Sequence, residues 1–214
     1  MKTIVMHKIV LFALASSFAV AADKPEKGFV SLFNGRDLTG WTKAKENEGT
    51  FVVKDGAIVA NGPRCHLFYS GNVGNGEFKN FELKIDVMTQ ANSNGGIFFH
   101  TAYQETGWPE KGFEIQVNNT HKDWRRTGGL YAVQDNKAEV AQDGKWFTEH
   151  ILVKDKLVTV FVDGKKVTEW TQPADWKGID SFPQRTLTSG TIALQGHDPG
   201  STVMYKNIRI KLLK

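Results

Sequence analysis

The sequence is poor in cysteine, in long apolar runs and in charge of one sign. Cys65 is the only cysteine of the 214 residues, so the chain cannot form an internal disulfide, and a lone cysteine is most often a small core residue. Lys and Arg do not cluster with interleaved aromatic residues, which argues against nucleic-acid binding. No long stretch repeats apolar residues with a period of 3.6, so we expect almost no helix.

The one sizeable apolar run lies at the start of the chain and is typical of a secretory signal peptide. A basic start precedes an apolar run at residues 9–20, and Ala19-Val20-Ala21 fits a small-x-small cleavage site. The alternative is a membrane anchor, which needs about 20 apolar residues. No cysteine directly follows this apolar run, so a lipid anchor has no attachment point. We therefore expect residues 1–21 to be removed and the protein to be periplasmic or secreted, with no membrane anchor.

The remaining residues, 22–214, are enough for one sizeable core and short for two domains. The full chain carries a formal net charge of +4. Loss of the two lysines of the signal would leave about +2, which is close to balance. We find no repeat, no low-complexity tract and no interdomain linker, so a single domain is expected.

Short alternating runs separated by turn residues predict an all-β fold. Asp55-Gly56 and Asp163-Gly164 each lie between two such runs, which is a strong hairpin signal. Many short strands and almost no helix favour an antiparallel β-sandwich or jelly roll. Strands are expected at residues 29–35, 50–54, 57–60, 66–69, 78–88, 95–100, 112–118, 147–154, 157–162, 166–170, 191–195 and 203–212.

Two of these runs, 95–100 and 112–118, carry the most informative polar residues. On the second run Glu114, Gln116 and Asn118 share one face, because side chains on a strand repeat every two residues. This face is either an ordinary exposed sheet surface or the floor of a polar groove.

Five motifs, taken in order, resemble the 3-keto-disaccharide hydrolase domain family. They are Phe-Asn-Gly-Arg-Asp-Leu-Thr-Gly-Trp at 33–41, Ser-Asn-Gly-Gly-Ile-Phe-Phe at 93–99, Gly-Phe-Glu-Ile-Gln at 112–116, Gly-Thr-Ile-Ala-Leu-Gln-Gly-His at 190–197 and Lys-Asn-Ile-Arg-Ile at 206–210. The resemblance implies a concanavalin-like jelly-roll sandwich, an exported bacterial protein, and action on sugars whose C3 hydroxyl has been oxidised to a ketone.

The chain departs from the family pattern at three places. His100 stands where relatives tend to carry Arg, and Gly196 stands where Asp often precedes the late His, with Asp198 following instead. A Lys-Trp-Phe sequence at 145–147 replaces the usual Glu-Trp-Asn.

A ketone at C3 changes what a glycoside-cleaving enzyme must do. The ketone acidifies the proton on C2, so a base can remove it and the resulting enediolate can expel the group at C1. Such a substrate needs one base, one acid and a positive or hydrogen-bonding group at the C3 oxygen. A conventional glycosidase needs two carboxylates at a controlled separation. A 3-keto substrate also implies an upstream sugar oxidoreductase, because another enzyme must make the ketone.

The resemblance therefore implies an exported enzyme that cleaves 3-keto-glycosides or 3-keto-disaccharides. Two alternatives stay open: a non-catalytic carbohydrate-binding domain and a conventional two-carboxylate glycosidase. Product formation separates an enzyme from a binding domain, and a requirement for the 3-keto group separates the two kinds of enzyme.

Glu114 and His197 are the candidate catalytic residues. Glu114 lies among uncharged polar neighbours, where partial burial would raise its pKa and suit it as a base or as a metal-bound carboxylate. His197 follows a strand end, where scaffolds present catalytic groups, and it can donate or accept a proton near neutral pH. The structural alternatives are an exposed strand carboxylate and a loop histidine held by a local hydrogen bond.

The candidate sugar-binding residues carry amides, rings or a guanidinium group. They are Asn94, His100, Trp108, Gln116, Arg125, Tyr131 and Gln195, with His66 and His121 as lesser candidates. The amides could equally satisfy loops, and the aromatic rings could cap a sandwich core. Further tryptophans near turns are Trp124, Trp146, Trp170 and Trp176, and residues 123–126 form the expected rim of the groove.

The sequence contains no standard metal-binding motif. His-Glu-x-x-His, a Cys pair and an Asp-rich Ca²⁺ loop are all missing. A divalent metal would need ligands from different strands, drawn from Glu114, His100, His197 or Asp198.

Overall fold

The computed structural model describes residues 26–214, which form two antiparallel β-sheets packed face to face. The predicted signal peptide at 1–21 lies outside the described residues. The strands are β1 Val30–Ser31, β2 Trp41–Lys43, β3 Phe51–Lys54, β4 Ala57–Asn61, β5 Cys65–Tyr69, β6 Phe81–Thr89, β7 Gly95–Thr101, β8 Phe113–Val117, β9 Arg126–Leu130, β10 Gln134–Asn136, β11 Phe147–Lys154, β12 Leu157–Val162, β13 Lys165–Thr171, β14 Thr191–Gly196 and β15 Thr202–Leu212. The described helical segments are short 3₁₀ turns at Glu48–Thr50 and Val73–Gly76.

Each sheet has a different role. The back sheet has the strand order β13-β12-β11-β6-β15-β4-β3, with β1 added along β15. The other sheet, here called the site sheet, has the order β10-β9-β8-β7-β14-β5-β2. The predicted all-β antiparallel sandwich is confirmed. No helix within residues 26–214 is long and apolar enough to cross a membrane.

Alternation of apolar and polar residues places the core between the sheets. In β6, Phe81, Leu83, Ile85 and Val87 are fully buried, while the residues between them are partly exposed. Fully burying each such side chain contributes about 1.5–3 kcal/mol. Cys65 is buried as a free thiol, as expected.

The two predicted Asp-Gly hairpins are confirmed. Asp55 and Gly56 join β3 to β4 with φ of 51° and 77°, and Asp163 and Gly164 join β12 to β13 with φ of 47° and 76°. Positive φ at both central residues is what a type I′ turn requires.

Strands β2, β9 and β10 were not predicted from the sequence. Strand β9 contains Gly128 and Gly129, which weaken a strand signal. The structure needs them, because Gly128 has φ of +81° and a Cβ on Gly129 would lie 2.6 Å from the Asn136 backbone nitrogen. Residues 78–80 lie outside a strand, although Phe78 bridges to Gly190.

Strands β7 and β8 are buried along their whole length. Their inner face packs on the back sheet, and loops cover much of the outer face. These loops are residues 102–112, between β7 and β8, and residues 172–190, between β13 and β14. The polar face of β8 faces the space between these two loops.

Candidate active site

A pocket lies on the outer face of the site sheet, over β8, β7 and β14. Its cavity volume is about 120 Å³. At the roughly 30 Å³ that each water occupies in the liquid, the pocket has room for about four waters. It is lined by Asn94, Phe98, Trp108, Glu114, Gln116, Asp123, Tyr131, Phe182, Arg185, Gln195 and His197. The polar face predicted on β8 is therefore a pocket floor and not an exposed sheet surface.

Glu114 lies at the centre of this floor and is only 5 % exposed. Its Oε1 accepts a hydrogen bond from Gln195 Nε2 at 3.0 Å. The side chain lies across Gly96 of the neighbouring strand, and a Cβ on that glycine would stand 2.5 Å from Oε1. Gly96 therefore provides the space that the carboxylate occupies.

Burial sets the protonation of Glu114. It raises the pKa of this carboxyl to about 7, against the opposing effects of Arg185 and of the hydrogen bond from Gln195. A general base works best when its pKa lies near the operating pH. Glu114 meets that requirement at neutral pH.

Arg185 faces Glu114, with 3.8 Å between Nη2 and Oε2, and was missed by the sequence analysis. It is 2 % exposed. Its Nη1 donates to the Tyr131 carbonyl at 2.9 Å, and its guanidinium lies 4.0 Å from the centre of the Phe182 ring. The indole of Trp176 donates to the Arg185 carbonyl at 2.7 Å and fixes the backbone. Arg185 comes from an irregular loop with no periodic pattern, so only its charge beside apolar neighbours could have pointed to it.

His197 is held by the next residue in the chain. Its Nδ1 lies 2.7 Å from Asp198 Oδ2, which also accepts from Ser201 Oγ at 2.7 Å. Burial raises the pKa of Asp198, but hydrogen bonds from Ser201, His197 and Gly200 outweigh it and leave that pKa below its ordinary value. Asp198 is therefore an acceptor that holds a proton on Nδ1, and Nε2 is left for chemistry.

His121 lies next to the His197–Asp198 pair. Its Nδ1 accepts from the Asp123 amide at 3.2 Å and lies 3.3 Å from Asn94 Nδ2. Its Nε2 is 4.0 Å from Asp198 Oδ2. Burial, helped by the nearby His197, lowers the pKa of His121. The ring is thus neutral at pH 7 and does not compete with His197 for the carboxylate.

Three amide side chains complete the floor. Gln116 donates through Nε2 to Asn94 Oδ1 at 2.6 Å and to the Gly95 carbonyl at 3.3 Å. The Oε1 atoms of Gln116 and Gln195 are buried and have no hydrogen-bond partner within residues 26–214. These two acceptors suit sugar hydroxyls.

Tyr131 and Trp108, which are candidate sugar-binding residues, line the pocket walls. The Trp108 ring lies 5.3 Å from that of His197. Arg125 does not line the pocket. Its guanidinium stacks 4.6 Å from the centre of the Tyr131 ring, and its Nε lies 3.2 Å from Asp135 Oδ1, so it acts behind that wall.

The structure does not bring His100 to the pocket. A register shift between β14 and β7 places an extra residue in β7 near His100, which has φ of +53°. The ring turns into the core against Phe81 and Phe99, and its Nε2 lies 2.9 Å from the Lys79 carbonyl. His100 was expected to bind the sugar, and it misses the pocket because this bulge breaks the two-residue repeat of β7.

Asn118 and the remaining tryptophans have other environments. Asn118 Nδ2 donates to the carbonyls of Asp123 and Arg125 and so fixes the β8–β9 loop. Trp170 and Trp176 pack on each other beside Phe113. Two others are surface rings stacked with cations: Trp124 with Arg125 and Lys137, and Trp146 with Lys206.

The part of the chain that the structure describes contains no cluster of three or more His, Cys, Asp or Glu side chains placed to hold a metal ion. Of the ligands considered from the sequence, His100 points into the core, and Asp198 is hydrogen-bonded to His197 and Ser201.

Solved structures of other proteins share this architecture. A provisionally assigned glycosyl hydrolase of Parabacteroides distasonis is 27 % identical, with a TM-score of 0.74 over 87 % of this chain and 94 % of that one. The carbohydrate-binding module CBM66 of Bacillus subtilis is 12 % identical, with a TM-score of 0.58 over 80 % of this chain and 95 % of that one, and shows the shared fold alone.

The sequence comparisons are more specific. A 3-keto-disaccharide hydrolase of Bacteroides thetaiotaomicron is 24 % identical over 87 % of this chain and 79 % of that protein. Residues 28–211 match the 3-keto-alpha-glucoside-1,2-lyase-like domain. The chain belongs to this family, as the motifs predicted.

Proposed function

We propose that this protein is an exported enzyme, periplasmic or secreted, that cleaves 3-keto-glycosides by removing the C2 proton and expelling the group at C1. The observation that carries the proposal is Glu114, a buried carboxyl with a pKa of about 7 that faces Arg185 in the pocket of the site sheet. Family membership and the name of the Bacteroides relative support the same substrate class.

In the first step Glu114 takes the proton from C2. The electrons of the C2–H bond form a C2=C3 double bond, and negative charge moves to the C3 oxygen. Arg185 stabilises that charge, since Glu114 becomes neutral as the oxygen becomes negative and the guanidinium keeps an anionic partner throughout. The Nε atom of Arg185 is buried and has no hydrogen-bond partner in residues 26–214, so it can donate to the substrate.

In the second step the C3 carbonyl re-forms, a C1=C2 double bond forms, and the C1–O bond breaks. His197 gives its Nε2 proton to the departing oxygen, while Asp198 stabilises the ring through Nδ1. The product is an unsaturated 3-keto sugar. Addition of water across C1=C2 would complete a hydrolysis.

The test uses the purified protein with a 3-keto-disaccharide and with its unoxidised parent, and follows sugar release with and without a chelator. Cleavage of the keto substrate alone is the expected result. Equal cleavage of both substrates would favour a conventional glycosidase, and binding without cleavage would make the pocket a recognition site. Loss of activity with the chelator would add a metal to the mechanism.

Asp198 offers a variant that tests the role of His197. Asp198→Ala should lower kcat on the keto substrate by about 100-fold with little change in KM, because the acid loses its orienting partner. Ser201→Ala is the matched control, since it removes the other side-chain hydrogen bond to Asp198 and leaves His197 bonded. Equal losses in both variants would show that Asp198 only shapes the loop.

A further inference from the structure

His66 is a buried imidazole beside the pocket that the proposed mechanism does not use. It lies on β5 directly opposite Gln195 of β14, so its side chain is on the same outer face of the site sheet. It is 1 % exposed, and neither ring nitrogen has a hydrogen-bond partner within residues 26–214.

The surroundings of His66 are aromatic. Its ring meets Phe98 edge-on at 5.4 Å and Trp108 at 5.7 Å between centroids. Burial lowers the pKa of His66 to about 3, and the nearby Arg64 and His197 act in the same direction. The neutral ring thus offers one donor and one acceptor, and leaving a buried polar group unpaired is unfavourable. An apolar residue would pack here without that cost, so the imidazole needs an explanation.

Trp108 is the side chain that covers His66, and it comes from the loop at 102–112. The tryptophan is 39 % exposed. Near it, the loop is attached through the Gly107 amide, which donates to Glu46 Oε1 at 2.8 Å, and through Arg64, whose guanidinium lies 5.2 Å from the Trp108 ring. The Gly107–Glu46 hydrogen bond is only partly buried, and a ligand reaches His66 only when Trp108 and this loop move aside.

The strand order places His66 on the leaving-group side of the pocket. Glu114 is on β8, His197 follows β14, and His66 is on β5, the next strand outward. Arg185 stands on the opposite side, held by the Tyr131 carbonyl beyond β9. A sugar with its C3 oxygen at Arg185, C2 at Glu114 and C1 at His197 therefore directs its C1 substituent toward His66.

We propose that His66 binds the departing group in a second subsite beneath Trp108, and that the departing group is a neutral hydroxylated unit, a second sugar. This inference rests on the proposed function. One donor and one acceptor on a neutral ring match a pair of neighbouring hydroxyls, and the aromatic faces of Trp108 and Phe98 match the apolar face of a sugar ring.

The test compares two ligands in a background that does not turn over. Glu114→Gln protein, with and without His66→Phe, is titrated calorimetrically with a 3-keto-disaccharide and with the methyl 3-keto-glycoside of the same first sugar. We expect His66→Phe to weaken the disaccharide about tenfold, as loss of one or two hydrogen bonds predicts, and to leave the methyl glycoside unchanged. Thermal unfolding should show His66→Phe to be at least as stable as its parent, because an unpaired polar group is gone.

Phe68→Leu is the matched control, since Phe68 lies on the same strand and face and touches the His66 ring without any polar atom. It should affect both ligands equally. The proposal is overturned if His66→Phe leaves disaccharide affinity unchanged, if it weakens both ligands alike, or if the parent binds the two ligands with the same affinity. Failure of the wild type to cleave the keto substrate would remove the proposed reaction, whereas these affinities decide the second subsite independently.

Discussion

Replacing Glu114 by Gln should abolish catalysis and stabilise the protein, with a stability gain that depends on pH. Gln keeps the size of the side chain and can still accept the hydrogen bond from Gln195. The substitution removes both the proposed general base and the carboxyl group that ionises. Loss of a positioned general base typically lowers kcat by about 10²–10⁴.

The magnitude follows from the shifted pKa. The carboxyl of Glu114 titrates near 7 in the folded protein and near its ordinary 4.5 in the unfolded chain. Below pH 4.5 both states are protonated and the group costs nothing. Between pH 4.5 and 7 the unfolded chain loses the proton first, so the free energy of unfolding falls as pH rises. A shift of this size corresponds to about 3 kcal/mol.

The assay is urea unfolding of wild type and Glu114→Gln at pH 4.5, 6 and 8. Because other groups titrate identically in both proteins, the difference between them isolates Glu114. We expect that difference to grow by about 3 kcal/mol in favour of the variant between pH 4.5 and 8. A difference that does not vary with pH would refute the buried, raised-pKa carboxyl, and full activity of the variant would refute its role as the base.

Three further predictions concern other residues. Arg185→Met should lower kcat on a 3-keto substrate by about 10²–10³. Arg185→Lys should retain only part of the wild-type kcat, because a flexible ammonium lacks the planar, forked donor geometry of the guanidinium. An unchanged kcat in the Met variant would show that the guanidinium has only a structural role. Gly96→Ala should displace the Glu114 carboxylate and lower kcat by about 100-fold. Gly49→Ala is the control, because a Cβ there meets nothing within 4 Å, and it should keep full activity. Equal activity of the two variants would contradict the close packing of Glu114 on Gly96. Glu149 is fully buried in the core without a side-chain partner, and burial holds its pKa well above the ordinary value. Glu149→Gln should therefore stabilise the fold increasingly as pH rises above 4.5. A stability gain that shrinks with rising pH in urea unfolding would contradict the raised pKa of Glu149.

The strands that alternate regularly were predictable, because the two-residue repeat of β6 and the Asp-Gly turns encode both the strand and its inward face. The same rule placed Glu114 and Gln116 on one face, and the structure makes that face the pocket floor. The rule does not extend to His100, where a bulge interrupts the two-residue repeat.

Two features of the site depend on loops that carry no periodic signal. Arg185 reaches Glu114 from residues 172–190, whose path is set by contacts such as the Trp176 hydrogen bond and not by local pattern. The pairing of Asp198 with His197 was visible as adjacency in the sequence, but only the geometry of the turn shows that the carboxylate reaches Nδ1.

The most direct test of the central claim is the fate of the C2 proton in D₂O. A 3-keto-disaccharide is cleaved by the wild type in D₂O, and the released keto sugar is examined for deuterium at C2, with Glu114→Gln protein measuring uncatalysed exchange. Proton removal by Glu114 predicts deuterium at C2 of the hydrolysed product, or loss of the C2 hydrogen in an unsaturated product, at a rate that requires Glu114. A hydrolysed product that keeps its original C2 hydrogen would contradict the account and indicate direct displacement at C1.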